Sequence, residues 1–396
     1  MERAFRQLLL LPILIQALLL CGCAATAPPP SVPPALFADA SFAPPSQAIG
    51  TDGLFALSPA MRTYLRSAAF ARHLRNRDPK QGLLDALYSK SDLLLEYDAR
   101  VTRTAAETYA ARSGNCLSLV IMTAAFAREL GMVVRYQGIQ TTDETWTREN
   151  GLYVLSTHVN IALGNRNTTN GADPDTMLVV DFLSPPEASR LHAYPLAQRD
   201  IEALYLNNRA VETLMGGNVD DAYWWARAAI MAAPGDATAY NTLGVIYQRH
   251  GDALLAERAL RAALARAPEN LPVLQNLGPL LASLGRDAEA RAIARRLALL
   301  QPVPPFHDFN LGMDALERGD YAAARDLFAR EVRRAPYSDE FHFWLAMAYL
   351  RLGETRKAQA ELALAVQHSV RGDTRERYAA KLATLRRQDA GILRIH

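Results

Sequence analysis

Apolar and polar positions in the second half of the chain follow a helical spacing, and the pattern recurs. From residue 203 the sequence divides into five consecutive frames of 34 residues without an insertion. Each frame holds two amphipathic stretches that are separated by a turn glycine and that share a small residue where they would cross. The glycines are Gly217, Gly251, Gly285, Gly319 and Gly353, and the small residues are Ala222, Ala256, Ala290, Ala324 and Ala358. This period predicts stacked helix pairs that bury their apolar faces against their neighbours.

The frame from residue 237, ATAYNTLGVIYQRHGDALLAERALRAALARAPEN, resembles the tetratricopeptide repeat. The resemblance rests on Tyr240, Leu243, Gly244, Tyr247, Gly251, Ala256, Leu260, Ala263 and Pro268. It implies an all-α solenoid of five repeats over residues 201–372 that binds a protein partner, and a capping helix and tail over residues 373–396. Pro279 falls inside the first helix of the third unit, where it predicts a kink or a late helix start.

Side-chain amides recur at one position of the first helix in three successive units, as Asn207, Asn241 and Gln275. Amides donate and accept hydrogen bonds, so these residues can pair with the backbone of an extended peptide in a groove. They can also cap and bridge neighbouring units. The sequence leaves both interpretations open.

The first residues carry an export pattern. Arg3 and Arg6 precede an apolar run that is too short to span a bilayer, which predicts a signal peptide over residues 1–22. The following LCGC resembles the lipobox of bacterial lipoproteins, and on that resemblance Cys23 is the lipidation site and a lipid bilayer is a partner. The expected location is the cell envelope, facing the periplasm, and Ala24 resembles the pattern of outer-membrane lipoproteins. Residues 23–50 are rich in Pro, Ala and Ser and predict an extended tether.

Residues 51–200 mix helical and strand-like patterns. The run from Leu117 to Leu130 is almost wholly apolar and predicts a buried helix with Cys116 in its first turn. A helix N-terminus favours a thiolate and offers N–H groups to an oxyanion. Strand-like runs follow at 132–139, 152–163 and 176–183, and the last two carry His158 and Asp181.

A cysteine, a histidine and an aspartate in this layout suit nucleophilic catalysis, because the imidazole moves a proton and the carboxylate orients it. The segments GNCLSLVIMTAAFARELGMVVRYQGI, THVNIAL and LVVDF also resemble the three motifs of the transglutaminase-like superfamily, whose core is papain-like. The resemblance implies an α+β papain-like domain in which Cys116 is the nucleophile, His158 the general base and acid, and Asp181 the orienting carboxylate. It implies a thiol hydrolase of the cysteine peptidase type acting on a peptide or protein amide, with transfer to an amine as a variant.

Three neighbouring residues are candidates for supporting roles. Asn115 and Tyr109 are predicted to shape the oxyanion pocket. Asn160 follows His158 by two residues on the same strand and so lies on the same face, which ranks it below Asp181 as the group that orients the imidazole.

Composition limits the remaining possibilities. The 396 residues are 50% hydrophobic, and 43 basic residues against 41 acidic ones give a net charge of +2, which does not favour a nucleic-acid partner. No clustered His or Cys spacing predicts a metal, and no cofactor is expected. Because Cys21 leaves with the leader and Cys23 is acylated, Cys116 has no disulfide partner. The alternative function is a non-catalytic envelope scaffold that binds proteins through its repeats.

Overall fold

A computed structural model describes most of the chain. The described residues are 32–33, 35–75, 77–89, 93, 95–98, 101–140, 146–149, 152–155, 158–165, 177–182, 192–304, 306–369 and 372–392. The predicted signal peptide, the predicted lipidation site Cys23 and the first part of the predicted tether lie outside these residues. Within the described ranges, no helix is both long enough and apolar enough to cross a membrane.

The N-terminal region begins with short helices that surround one long apolar helix. Side chains cap the N-termini of the four short helices, and the cap at Ser67 starts a new helix directly after the first one ends. Helix α5 is buried along most of its length, because apolar residues occupy nearly every position from Leu117 to Ala127. The bounds are α1 Pro59–Leu65, α2 Ala68–Leu74, α3 Pro79–Tyr88, α4 Ala105–Ala111 and α5 Cys116–Glu129.

An antiparallel sheet of four strands, in the order β7-β6-β3-β8, packs on α5. The run over 152–163 forms two strands, and the first of them pairs with β4 as a separate hairpin. Gly138 of β3 lies opposite Tyr194 of β8, whose ring would collide with any added Cβ. The bounds are β1 Glu96–Tyr97, β2 Ser113–Gly114, β3 Val133–Gln140, β4 Trp146–Glu149, β5 Leu152–Leu155, β6 His158–Gly164, β7 Leu178–Val180 and β8 His192–Leu196. The N-terminal region thus combines helices with strands, and its likeness to a papain-like core stays an expectation.

Five helix pairs follow the sheet, as the 34-residue period predicts. Helix α10 begins at Leu271 and runs through Pro279, so a late start at this proline was a wrong prediction. The last helix, α16, packs on α15 through Leu382. It also contacts α14, where the Phe343 ring stacks on Tyr378 of α16 with ring centroids 4.8 Å apart. The bounds are α6 Gln198–Met215, α7 Val219–Ala232, α8 Ala237–His250, α9 Ala253–Arg266, α10 Leu271–Ser283, α11 Asp287–Leu300, α12 His307–Glu317, α13 Tyr321–Arg334, α14 Asp339–Arg351, α15 Thr355–His368 and α16 Gly372–Ile392.

The stacking of the pairs is interrupted between the third and the fourth. The first three pairs share an apolar core with the N-terminal region, whereas the fourth and part of the fifth form a second core around Phe309 and Phe328. Pro302 and Pro304 lie in the connection between the two parts, and Phe306 adopts a left-handed backbone with φ of 59° before α12 begins. Prolines cannot donate the N–H bonds of a regular turn, so the connection departs from the others.

Residues 35–47 do not form the free tether that was expected over 23–50. Leu36 is fully buried and Phe42 is almost so, and both belong to the core that the first two helix pairs share. The expectation was wrong for this segment because two apolar side chains among the prolines and alanines are enough to dock it on the repeats.

Candidate functional site

Cys116 lies at the first position of α5, half exposed to solvent. Asn115 caps the helix, and its Oδ1 accepts a hydrogen bond of 2.9 Å from the backbone N–H of Ser118. The short parallel pairing of β1 with β2 fixes the chain just before the cap. Arg112 takes a left-handed backbone, with φ of 54°, to turn the chain from α4 into β2. The local sequence therefore places the thiol where backbone N–H groups and the helix dipole face it.

His158 and Asp181 meet because their strands are neighbours in the sheet. His158 is the first residue of β6, and Asp181 directly follows β7. The Nε2 atom of His158 lies 2.8 Å from Oδ1 of Asp181, and the imidazole is also near enough to Cys116 for the sulfur to raise its pKa. The structure thus brings the three predicted side chains together in the order thiol, imidazole, carboxylate.

The charge state of the imidazole is set by these two neighbours. Burial alone would lower the pKa of His158, but the hydrogen bonds and negative charges of Asp181 and Cys116 outweigh it and raise the pKa to about 9. The side chain is only 7% exposed, so water does little to screen these interactions. At neutral pH the imidazole is therefore protonated, which is the form that stabilises a neighbouring thiolate.

Two further residues hold Asp181. Nδ2 of Asn160 lies 3.4 Å from Oδ2 of Asp181, and the Tyr88 hydroxyl donates a 3.0 Å hydrogen bond to the backbone carbonyl oxygen of Asp181. Burial and then the charge of Asp181 raise the pKa of Tyr88 to about 12, so the hydroxyl remains a donor. Asn160 therefore steadies the carboxylate, a role that its place on the same face as His158 allowed. Tyr88 carried no sequence signal, because 93 positions separate it from its partner.

The two oxyanion candidates have structural contacts. Nδ2 of Asn115 donates a 2.7 Å hydrogen bond to Oγ1 of Thr102, so this amide links the helix cap to the preceding loop. The Tyr109 ring packs edge-on against Phe126, with centroids 6.0 Å apart, and the Arg112 guanidinium lies 4.4 Å above it. A role for Asn115 or Tyr109 in an oxyanion pocket stays a prediction.

Thr102 joins the cysteine helix to the first repeat helix. Its hydroxyl oxygen also accepts a 3.2 Å hydrogen bond from Asn208 of α6, and its backbone N–H donates a 2.7 Å bond to Glu212 of the same helix. Burial raises the pKa of Glu212 to about 7, although Thr102 and nearby arginines counteract it. This junction could not be predicted from the sequence, because no local pattern relates a loop threonine to residues more than 100 positions away.

The amide candidates on the first helices make contacts within the array. Oδ1 of Asn241 accepts a 2.9 Å hydrogen bond from Asn276 of the next unit, and Nε2 of Gln275 donates a 3.1 Å bond to Gln301. Asn207 is buried, and its Oδ1 has no hydrogen-bond partner within the described part of the chain. For Asn241 and Gln275 the contacts favour bridging over binding a peptide backbone. Among the residues that the structure describes, no three His, Cys, Asp or Glu side chains are grouped to hold a metal ion.

Comparison with known families decides the nature of the repeats. Tetratricopeptide repeat models match residues 237–270, which contain α8 and α9, and residues 309–373, which contain most of α12 through α15. The chain carries tetratricopeptide repeats. The prediction made from the 34-residue period is confirmed, and residues 198–368 form a helical tetratricopeptide array.

Three solved structures are similar to parts of this chain. The pilF protein of Pseudomonas aeruginosa is 23% identical, with 48% of this chain and 94% of that chain covered and a TM-score of 0.28. YrrB, described as a TPR protein with an unusual peptide-binding site, is 20% identical over 45% and 92% of the two chains, with a TM-score of 0.25. A thermophilic TPR protein of Thermus thermophilus, TTC0263, is 20% identical over 46% and 99%, with a TM-score of 0.29. No curated protein matches the chain.

Proposed function

We propose that the chain is a protein-binding scaffold whose tetratricopeptide array holds an extended segment of a protein partner. The observation that carries the proposal is the array itself, with five helix pairs and matches to tetratricopeptide models at two places. Stacked pairs expose the first helices of successive units side by side, so one extended ligand can contact several units. Half-exposed residues of α8 recur at Thr238, Asn241, Val245 and Gln248, which is the spacing of one helix face.

A displayed peptide library tests this proposal. The full-length protein is used for selection, and the affinity of each selected peptide is then measured by fluorescence anisotropy. Val245→Glu places a charge on the half-exposed face of α8 and should weaken binding at least tenfold. The matched control is Lys381→Glu on the exposed face of α16, which should leave the affinity unchanged. Binding on this face would be contradicted if the selected peptides bound Val245→Glu as tightly as the wild type. A selection that yields no specific peptide would contradict it as well.

The envelope location belongs to the same proposal. The lipobox-like LCGC motif supports an acylated Cys23, a periplasm-facing protein and an outer-membrane anchor. Cells that express the protein and are fed labelled palmitate should incorporate the label into the wild type and not into Cys23→Ala. Equal labelling of both proteins would exclude this anchor.

A second candidate function is that of a thiol hydrolase of the transglutaminase-like, cysteine peptidase type. One observation favours it, namely the placement of His158 between Cys116 and Asp181, with 2.8 Å from its Nε2 to the carboxylate. Cys116 is only partly buried, and a protonated imidazole beside it stabilises negative charge on an attacking sulfur. A scaffold that only binds has no need of a protonated imidazole held between a thiol and a carboxylate.

The reaction would follow from this geometry. The Cys116 thiolate attacks the amide carbonyl carbon, and the new C–S bond places negative charge on the oxygen. Asn115 already occupies the N–H groups of Ser118 and Leu119, which leaves those of Cys116 and Leu117 as donors to the oxyanion. Protonated His158 gives its proton to the departing amine as the C–N bond breaks, and a thioester remains. Water that transfers a proton to His158 then attacks the thioester and releases the acid, whereas an amine in its place would form a new amide.

Labelling by a peptide that ends in a vinyl sulfone tests the hydrolase candidate. The wild type should form a covalent adduct at Cys116, and Cys116→Ser and His158→Gln should label slowly or not at all. The matched control, His307→Gln, changes an exposed histidine of the array and should label at the wild-type rate. If the wild type labels no faster than His158→Gln across a panel of peptides, the hydrolase candidate fails and the scaffold remains.

A further inference from the structure

Residues 35–47, here called the strap, lie on a surface formed by α7, α8 and α9 of the first two repeats. Two apolar side chains anchor them. Leu36 is fully buried, and the Phe42 ring stacks on Tyr223 with centroids 3.9 Å apart and planes 3° apart. Tyr247 and His250 of α8 complete the Phe42 pocket at 5.9 and 4.4 Å. An aromatic ring enclosed by three other rings is typical of a recognition pocket.

Side chains of the repeats also bind the backbone of the strap. The N–H of Ala38 donates to the Tyr223 hydroxyl at 3.0 Å, and the N–H of Ala43 donates to Asp220 at 3.0 Å. The indole Nε1 of Trp224 donates to the carbonyl oxygen of Ala43 at 2.7 Å. Hydrogen bonds from receptor side chains to a ligand backbone are a general means of holding an extended peptide.

Charged groups fix the register of the strap. Asp39 accepts hydrogen bonds from the Tyr223 hydroxyl at 2.5 Å and from the Arg227 guanidinium at 3.0 Å. Beyond Phe42, the buried Asp221 accepts the N–H of Ser46 at 2.7 Å and its hydroxyl at 2.5 Å. Burial would raise the pKa of Asp221, but these bonds and others outweigh it and hold the pKa below its ordinary value. Asp221 is therefore ionised and can act as a fixed acceptor.

The geometry points to a peptide-binding groove on the first two repeats. The groove recognises the pattern Leu-x-x-Asp-x-x-Phe, and residues 36–42 of the same chain occupy it. All the receptor groups belong to repeat helices, so the groove is a property of the array. Attachment to the chain gives the strap an effective concentration of the order of millimolar, so it excludes a free peptide with the same pattern. This surface differs from the amide-bearing face of the first helices, and its occupancy is independent of the scaffold and hydrolase proposals.

A two-component binding assay tests the groove. The ligand is a fluorescent peptide of residues 35–48, and its control carries Ser at the positions of Leu36 and Phe42. The receptors are the full-length wild type and the full-length double variant Leu36→Ser, Phe42→Ser, whose own strap is weakened. The peptide should bind the double variant at least tenfold more tightly than the wild type, and the control peptide should bind neither. Adding Asp221→Asn to the double variant should reduce the affinity again, because it removes the charge that holds Ser46.

The result that would overturn the inference is a folded double variant that does not bind the peptide, or a wild type that binds it equally well. Folding is checked by a cooperative unfolding transition and by the helical circular dichroism signal. If the double variant does not fold, Asp39→Ala is used instead. Asp39 is exposed, and its replacement removes only the hydrogen bonds from Tyr223 and Arg227. A protease should then cut within residues 35–47 faster in Asp39→Ala than in the wild type. Equal cutting would exclude a strap held by this pattern.

Discussion

The tetratricopeptide array and the cysteine site are built from contacts of different range. In the array, the bond of Asn276 with Asn241 of the neighbouring unit spans 35 positions, which is close to the length of one repeat. At the site, His158 and Asp181 lie 23 positions apart, Tyr88 is 93 from its partner, and Asn208 of the array is 106 from Thr102. Damage in the fourth pair, which lies in the second core, should therefore stay local, whereas the site depends on several segments at once.

Two matched glycine substitutions should have the largest effect on stability. They test directly whether the array and the cysteine site respond differently to damage. A Cβ at Gly312 would lie 2.6 Å from the Phe328 ring, and one at Gly114 would lie 2.6 Å from the Cβ of Ser118. Overpacking of this kind costs about 1–3 kcal/mol or more. Gly312→Val should destabilise the second core alone, whereas Gly114→Val should displace the cap that holds Cys116.

Urea unfolding and the rate of alkylation of Cys116 by iodoacetamide separate the two outcomes. Gly312→Val should show an early transition and a wild-type alkylation rate. Gly114→Val should change the alkylation rate before any unfolding. If Gly312→Val also altered the reactivity of Cys116 in the absence of urea, the second core and the site would be more tightly coupled than their separate apolar clusters imply.

The charge on His158 accounts for the next effect. His158→Gln removes the imidazolium beside Cys116, and with it the positive charge that stabilises negative charge on the attacking sulfur. The rate of alkylation by iodoacetamide at pH 6 should therefore fall about tenfold. His307→Gln should have no effect. In the wild type the advantage over His158→Gln should disappear as the pH rises through about 9, because the imidazole then loses its proton.

A smaller effect is expected at the junction between the two regions. The folded chain keeps the proton of Glu212 up to about pH 7, whereas the unfolded chain releases it near 4.5. Glu212 therefore lowers the free energy of unfolding as the pH rises between those values. Glu212→Gln retains an acceptor for Thr102 and removes the buried charge. It should raise the free energy of unfolding by about 1 kcal/mol at pH 8 and change it little at pH 5.

Glu257→Gln is the matched control for this prediction. Hydrogen bonds from Arg261 and Arg286 outweigh the effect of burial and hold the pKa of Glu257 below its ordinary value, so its loss should act in the opposite direction at pH 8. Urea unfolding of both variants at pH 5 and pH 8 measures the signs. A destabilised Glu212→Gln at pH 8 would show that the carboxylate is a net stabiliser of the junction.

The sequence predicted the array well, because the required residues recur in every unit. Gly251 illustrates the reason, because it takes a left-handed backbone with φ of 99° at the turn between the two helices. The turn glycines of the other four units do the same, namely Gly217, Gly285, Gly319 and Gly353. The late helix start predicted at Pro279 was wrong, because a helix can continue through a proline when packing holds it, and α10 does so. The strap was missed because Leu36 and Phe42 stand among prolines and alanines, and only the folded repeats supply the rings that bury them.

The candidate site was predictable in part. Cys116, His158 and Asp181 could be selected from a helix start and two strands, and the structure brings them together. The residues that support them could not be selected in the same way. Tyr88 and Thr102 act through partners that lie close only after the helices, the sheet and the array have assembled.

Hydrogen exchange of the full-length protein, with and without a peptide selected from the library, tests the central claim most directly. Binding on the tetratricopeptide array predicts slower exchange in α6, α8 and α10, the first helices of the first three units, and less slowing for Val245→Glu. Slower exchange confined to residues 51–200, with none in the array, would contradict the scaffold function.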